Sequence, residues 1–180
     1  MRFLTEAECQ SWASTRVEHQ DERGRPSRLA APLHHVRFLL PQAPGQLTWL
    51  CQFISRCLSP RRSCLLWVSD WAIFPSSENW HLYYRLRQSY ADHRLIDEAP
   101  GHFFLDFEDP DMTSFLLIGI LSGWDMHLIP DLAYGGPGTA HGFVCHDEWI
   151  ALSHREPATA AEWRTELQRA EYRLLPGEAA

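Results

Sequence analysis

Apolar residues recur along this chain with periods of about 3.6 and about 2 residues, and the switches between the two mark its elements. Leu47, Leu50, Cys51, Ile54 and Leu58 fall on one helical stripe, predicting a helix over 46–58 that ends before Pro60. Before it, 34–40 is expected as a strand stopped by Pro41. After it, the run CLLWVSDW from Cys64 has the length and the Val and Trp content of an interior strand over 64–71. A strand, a helix and a second strand in that order invite a right-handed crossover and parallel pairing.

Thr5 and Glu8 have capping-box spacing, so a first helix begins near Thr5 and fades before the polar connection from Gln20 to Ser27. Ser76 or Ser77 caps a helix over 78–92, with Leu82, Leu86 and Tyr90 on one side and Arg85 and Arg87 facing water. The segment 102–107 is a short strand or extended link. Asp109 and Pro110 form a favoured N-cap and N1 pair for a helix over 110–122. Met112, Phe115, Leu116, Leu117, Ile118, Ile120 and Leu121 surround that helix almost completely, so it must bury itself against a sheet or a partner subunit. Gly123 suits its C′ position. Trp124, Met126 and Leu128 alternate with Asp125 and His127, the period of a half-buried strand over 124–129. A Gly-rich crossing, 134–138, leads to an antiparallel return over 142–152, broken by a bulge or bend at 146–148. An amphipathic helix over 158–175 closes the chain. The expected fold class is α/β: a mixed central sheet with a C-terminal antiparallel hairpin, flanked by helices. It forms one domain over 1–180 with an N-terminal helical arm over 1–27.

Composition narrows the function classes. Eight Trp, nine Phe and five Tyr in 180 residues supply ample core. The formal net charge of -7 argues against nucleic-acid binding, which needs a basic footprint, and suits a basic protein partner. Every basic residue is Arg; the absence of Lys removes Schiff-base chemistry and a Walker-type phosphate lysine. Five Cys with no CxxC pair are expected as buried small hydrophobes in a reducing compartment. The N-terminus lacks the apolar run of a signal peptide and 115–121 is too short to span a bilayer, so a cytoplasmic location without membrane association is expected. No dinucleotide fingerprint, phosphate-binding loop or nucleophile elbow occurs.

Two polar constellations stand out. Asp125 and His127 share a strand face, and one of His146, Asp147 and Glu148 can come opposite them. Two imidazoles with carboxylates suit a metal-assisted or His/Asp general-base hydrolase. The spacing matches no known metal motif, so neither metal nor cofactor is expected. The second constellation is acidic. Asp106, Glu108 and Asp111 can oppose a basic partner or join Asp125 around Mg²⁺. With Trp124, Tyr134, His141 and Trp149 they make up the candidate binding residues.

The function expected first is a protein-binding or accessory domain, in its most concrete form a bacterial immunity-type inhibitor of a basic partner protein. The hydrolase is the alternative, and a structural homo-oligomer comes third. The all-round apolar helix predicts a homodimer. In sedimentation at micromolar concentration a species of twice the chain mass is expected; a single species at the mass of one chain would contradict it.

Overall fold

The computed structural model describes residues 1–17, 20–27, 34–58, 63–72, 77–131 and 139–176. It contains strands β1 (Arg2–Leu4), β2 (His34–Leu39), β3 (Ser63–Asp70), β4 (Gly101–Leu105), β5 (Asp125–Asp131), β6 (Ala140–Cys145) and β7 (Trp149–His154). Five helices accompany them: α1 (Glu6–Ser14), α2 (Pro44–Leu58), α3 (Ser77–Ser89), α4 (Asp109–Leu121) and α5 (Pro157–Arg169). The strands make one sheet in the order β1-β4-β3-β5-β6-β7-β2, with every neighbouring pair antiparallel. No helix among the described residues is long and apolar enough to cross a membrane.

The α/β class and the helix-flanked central sheet are as expected; the parallel pairing of 34–40 with 64–71 is not. β2 and β3 do run in the same direction, but β5, β6 and β7 lie between them. Local pattern fixes the direction of a crossover and not how many strands later enter the gap. Four inter-strand steps span about 19 Å, and 15-residue α2, roughly 22 Å long, is long enough to bridge them.

Alternation sends even-numbered residues of β3 to β7 to one face and odd-numbered residues to the other. The first face carries Cys64, Leu66, Phe104, Met126, Leu128, Val144 and Leu152, in one core with buried residues of α2, α3, α4 and α5. On the second, Cys9 and Ala13 of α1 pack on Leu65, Trp67, Phe103 and Ile129. Covering on both sides explains why β3 reads as an unbroken apolar run. The segment 1–27 therefore enters the sheet as β1 and covers its second face with α1, begun by the expected capping box at Thr5.

The C-terminal helix ends at Arg169 rather than 175, and Leu174 beyond it bridges to Phe38; three further local expectations change. The segment 142–152 is two strands, because residues 146–148 turn the chain back and β6 pairs with β7. Asp109 is the first helical residue of α4 rather than its cap; Glu108 takes the N-cap position, with no side-chain cap bond. α4 buries Met112, Phe115, Leu116, Gly119 and Ile120, while Leu121 remains 59% exposed.

Arg87 is the third. Helical spacing turns it to water, yet it is fully buried. Its Nη2 donates to Asp92 Oδ2 at 3.2 Å and its Nη1 to the Tyr83 hydroxyl at 3.4 Å, and the guanidinium lies 4.6 Å from the centre of the Phe3 ring. Tyr83 in turn lies 2.7 Å from His102 Nε2, and His102 Nδ1 lies 3.3 Å from Leu66 O. A carbonyl only accepts, so Nδ1 carries the ring proton and Nε2 accepts from Tyr83. Burial and the Arg87 charge push the His102 pKa down to about 3, keeping the ring neutral.

Gly142 in β6 is one of the glycines at which sheet packs closely against helix. A Cβ there would meet Leu58 Cδ1 at 2.6 Å and Leu128 Cδ1 at 2.9 Å, whereas at Gly45 it would meet nothing within 4 Å. Gly142→Ala is expected to destabilise the fold by about 1–3 kcal/mol in urea unfolding. Gly45→Ala should be neutral or stabilising by up to about 0.5 kcal/mol. Equal effects would contradict the packing described.

Candidate functional site

The turn between β6 and β7 meets the start of β5 at one end of the sheet. Cys145 pairs with Trp149, and the N–H of Glu148 donates to Cys145 O at 3.2 Å. Glu148 adopts φ 65°, a three-residue hairpin loop whose last residue is left-handed. Such a position favours Gly, and a Glu there costs roughly 1 kcal/mol or more. The carbonyl of Glu148 accepts from Leu40 N at 2.8 Å, tying the turn to the end of β2.

This turn delivers His146 to Asp125. Asp125 is only 3% exposed, and its Oδ1 accepts the backbone N–H of His146 at 2.7 Å and lies 2.8 Å from the ring Nδ1. Nδ1 therefore carries the proton. The hydrogen bond to Asp125 and the charge of Asp125 raise the His146 pKa above the ordinary imidazole value. Nε2 lies 3.4 Å from Asp147 Oδ1, and Cys145 Sγ donates to Asp147 Oδ2 at 3.7 Å. Asp125, Cys145 and His146 place ligating atoms within 4.8 Å of one another. A cavity of about 300 Å³ lies alongside, lined by Leu40, Leu47, Trp124, Cys145, His146 and Glu148 among others.

A histidine oriented by a buried aspartate is a general-base arrangement. Its outer nitrogen faces the exposed carboxylate of Asp147, which must move before that nitrogen can reach a substrate. Thus Asp125, His146 and Asp147 come together, Glu148 shapes the turn, and His127 lies elsewhere. His127 is 3% exposed with Nδ1 3.2 Å from His141 Nε2.

His127 and His141 belong to a polar row across the second face. His141 pairs with Ser153 in the ladder, and Ser153 Oγ lies 2.7 Å from His35 Nδ1. His141 is 1% exposed, and among the described residues its Nδ1 has no hydrogen-bond partner. Burial and the charge of His35 push its pKa down to about 3.

The acidic residues gather at the opposite end of the strands. Leu105 and Asp131 are both register partners of Ser63, so the ends of β4 and β5 flank the start of β3. Leu105 is 41% exposed, Asp106 is exposed, and Phe107 is 79% exposed. The Glu108 carboxylate turns inward, accepting from Leu105 N at 2.7 Å and pairing with the Met1 amino group. Asp111 is half-buried and hydrogen-bonded with Tyr90. A groove of about 640 Å³ continues along the first turn of α4, lined by Trp49, Ser55, Arg56, Asp109, Pro110 and Thr113 among others.

Among the remaining candidates, Trp124 is 2% exposed in the core, edge-on to Trp71. Trp149 is half-buried with the Arg37 guanidinium 4.7 Å above its ring. Tyr134 lies outside the described residues. Cys145, Ser153, His35 and Phe107 carry no motif; only the position of Cys145 beside His146, and of Phe107 inside an acidic run, hinted at them. The chain matches no family model, no curated protein and no solved structure.

The buried imidazoles predict acid lability. His102 and His141 stay neutral in the folded chain down to about pH 3, whereas in the unfolded chain they take up protons below about 6.5. Their contribution is complete above 6.5 and is lost as pH falls, by up to about 1.4 kcal/mol per pH unit for each ring. Half-buried His154, lowered by burial, acts in the same sense. Urea midpoints are expected to drop between pH 7 and pH 5, and His141→Phe to remove up to half of that drop. A variant keeping the full slope would mean that His141 is not held neutral.

Proposed function

We propose that this chain is a protein-binding accessory domain that takes a basic segment of a partner protein at the acidic end of its sheet. An inhibitor of the immunity type is its most concrete form. The observation that carries the reading is Phe107, 79% exposed between Asp106 and Glu108. With Leu105, 41% exposed two residues earlier, and the exposed Asp106 carboxylate between them, Phe107 forms a small apolar patch with an acidic edge, the make-up of an interface anchor. The adjacent groove supports the same partner chemistry. Asp109 Oδ1 is buried there without a hydrogen-bond partner among the described residues, and Trp49 lines the same space. A guanidinium or ammonium entering the groove would satisfy that oxygen and meet an aromatic face. The formal charge of -7 would steer a basic partner toward it.

Selection of a displayed peptide library on the intact protein tests this. Enriched peptides should carry Arg or Lys beside an apolar residue and bind less tightly as salt rises. Phe107→Ala should weaken them about 30-fold, an anchor-sized loss of roughly 2 kcal/mol. It should leave stability within about 0.5 kcal/mol. Peptides without positive charge, or peptides indifferent to Phe107→Ala and Asp109→Asn, would overturn the reading.

A further inference from the structure

We propose that Asp125, Cys145 and His146 form a binding site for one transition-metal ion of the zinc class, independent of the protein-binding surface at the other end of the sheet. Three different ligating groups converge there from two elements, their atoms within 4.8 Å of one another. A tetrahedral Zn²⁺ site with bonds of about 2.0–2.3 Å needs ligand atoms roughly 3.3–3.7 Å apart. Seating the ion opens the 2.8 Å separation of Asp125 Oδ1 and His146 Nδ1 and closes the widest separation, at most 4.8 Å, by about 1 Å. A thiolate, an imidazole and one carboxylate form a borderline-soft set, which favours Zn²⁺, Co²⁺ or Fe²⁺ over Mg²⁺ or Ca²⁺.

The surroundings are arranged as a metal site requires. Asp125 Oδ1 already accepts the backbone N–H of His146 at 2.7 Å, which fixes the carboxylate against the turn. With the metal on Nδ1, the ring proton moves to Nε2, where Asp147 Oδ1 lies 3.4 Å away to accept it. Asp147 then becomes the outer carboxylate that orients a ligating histidine. The Cys145 thiol releases its proton to solvent, and its sulfur lone pair forms the bond to the metal. Entry is through His146, whose side chain is 45% exposed, and the 300 Å³ cavity beside it leaves room for water in the fourth position. Motif spacing does not reveal such a site, because two ligands are neighbours in a turn and the third is brought opposite by strand register.

The test uses the intact chain stripped of metal by chelator dialysis. Co²⁺ should bind with one-to-one stoichiometry, giving a near-ultraviolet thiolate charge-transfer band and the red absorption of tetrahedral cobalt. Zn²⁺ should displace it with micromolar or tighter affinity in competition with a chromophoric chelator. Cys145→Ser, nearly isosteric, should abolish the charge-transfer band. Asp125→Asn should weaken Zn²⁺ at least about 100-fold, and Asp147→Asn about 10-fold, the size of an outer-sphere loss. His93→Ala, remote from the site, should change nothing. Circular dichroism confirms that each variant is folded, and the Cys145→Ser spectrum decides the matter should Asp125→Asn unfold. Absence of a stoichiometric Co²⁺ complex, or a charge-transfer band that survives in Cys145→Ser, would overturn the proposal.

Discussion

A guanidinium sealed in the core sets the terms for much of this fold. An Arg taken out of water is strongly destabilising unless its charge is met; in Arg87 both Nη atoms find partners, while Nε has none among the described residues. Arg87 therefore binds α3 to the turn at Asp92, to β1 through the Phe3 ring, and to β4 and β3 through Tyr83, His102 and Leu66 O. Asp92 is also held by Arg94, which reaches back to Phe3 O at 3.0 Å. Burial works against the Asp92 carboxylate, but its hydrogen bonds with Arg94 and the Arg87 and Arg94 charges outweigh burial and hold its pKa below the ordinary value. The chain of donors and acceptors has one self-consistent direction. The loss of one member strands the others in the interior.

The rest of the sheet meets its buried polar groups with less charge, leaving His141 Nδ1 without a partner among the described residues. Its second face carries Trp67, whose Nε1 donates to Glu6 at 3.0 Å, then the row of His127, His141, Ser153 and His35. At the turn, Asp125 answers a backbone N–H and an imidazole with one oxygen. Polar groups on this face thus lie in a line across five strands rather than in one cluster. The turn end and the acidic end are separated by the length of the strands, which lets metal chemistry and partner binding be tested apart.

Much of the architecture is legible in the sequence. The stripe of α2, the Thr5 capping box and the Gly123 stop each follow from local physics and stand near their expected places, whereas β5, whose alternation reads as half-buried, is covered on both faces, with Asp125 and His127 each only 3% exposed. What is not legible depends on tertiary register. Helical spacing alone turns Arg87 to water because it cannot register Asp92 five residues on, folded back by the turn after α3. The 146–148 interruption is visible, but whether it bulges or reverses the chain depends on Glu148 tolerating a left-handed conformation. The pairing of Asp125 with His146 lay within the expected constellation. His127 was drawn in by its shared strand face, whereas its ring meets His141. Cys145 carries only the hint of its place beside His146, because a lone cysteine in a strand reads as core.

The join between β5 and β6 has a mechanical consequence. Those strands share three register pairs, Met126 with Val144, His127 with Phe143 and Leu128 with Gly142, whereas β6 and β7 share six. Pro130, farther along β5, has no N–H to extend the lacing. The sheet is therefore two leaves, β1-β4-β3-β5 and β6-β7-β2, sewn along a short seam with the Asp125–His146 clasp at one end. Strain pulling the two leaves apart would fall on these three pairs, as few as join the edge strand β1 to β4. An ion seated in the clasp would act as a rivet, making the stiffness of the whole sheet depend on a single turn.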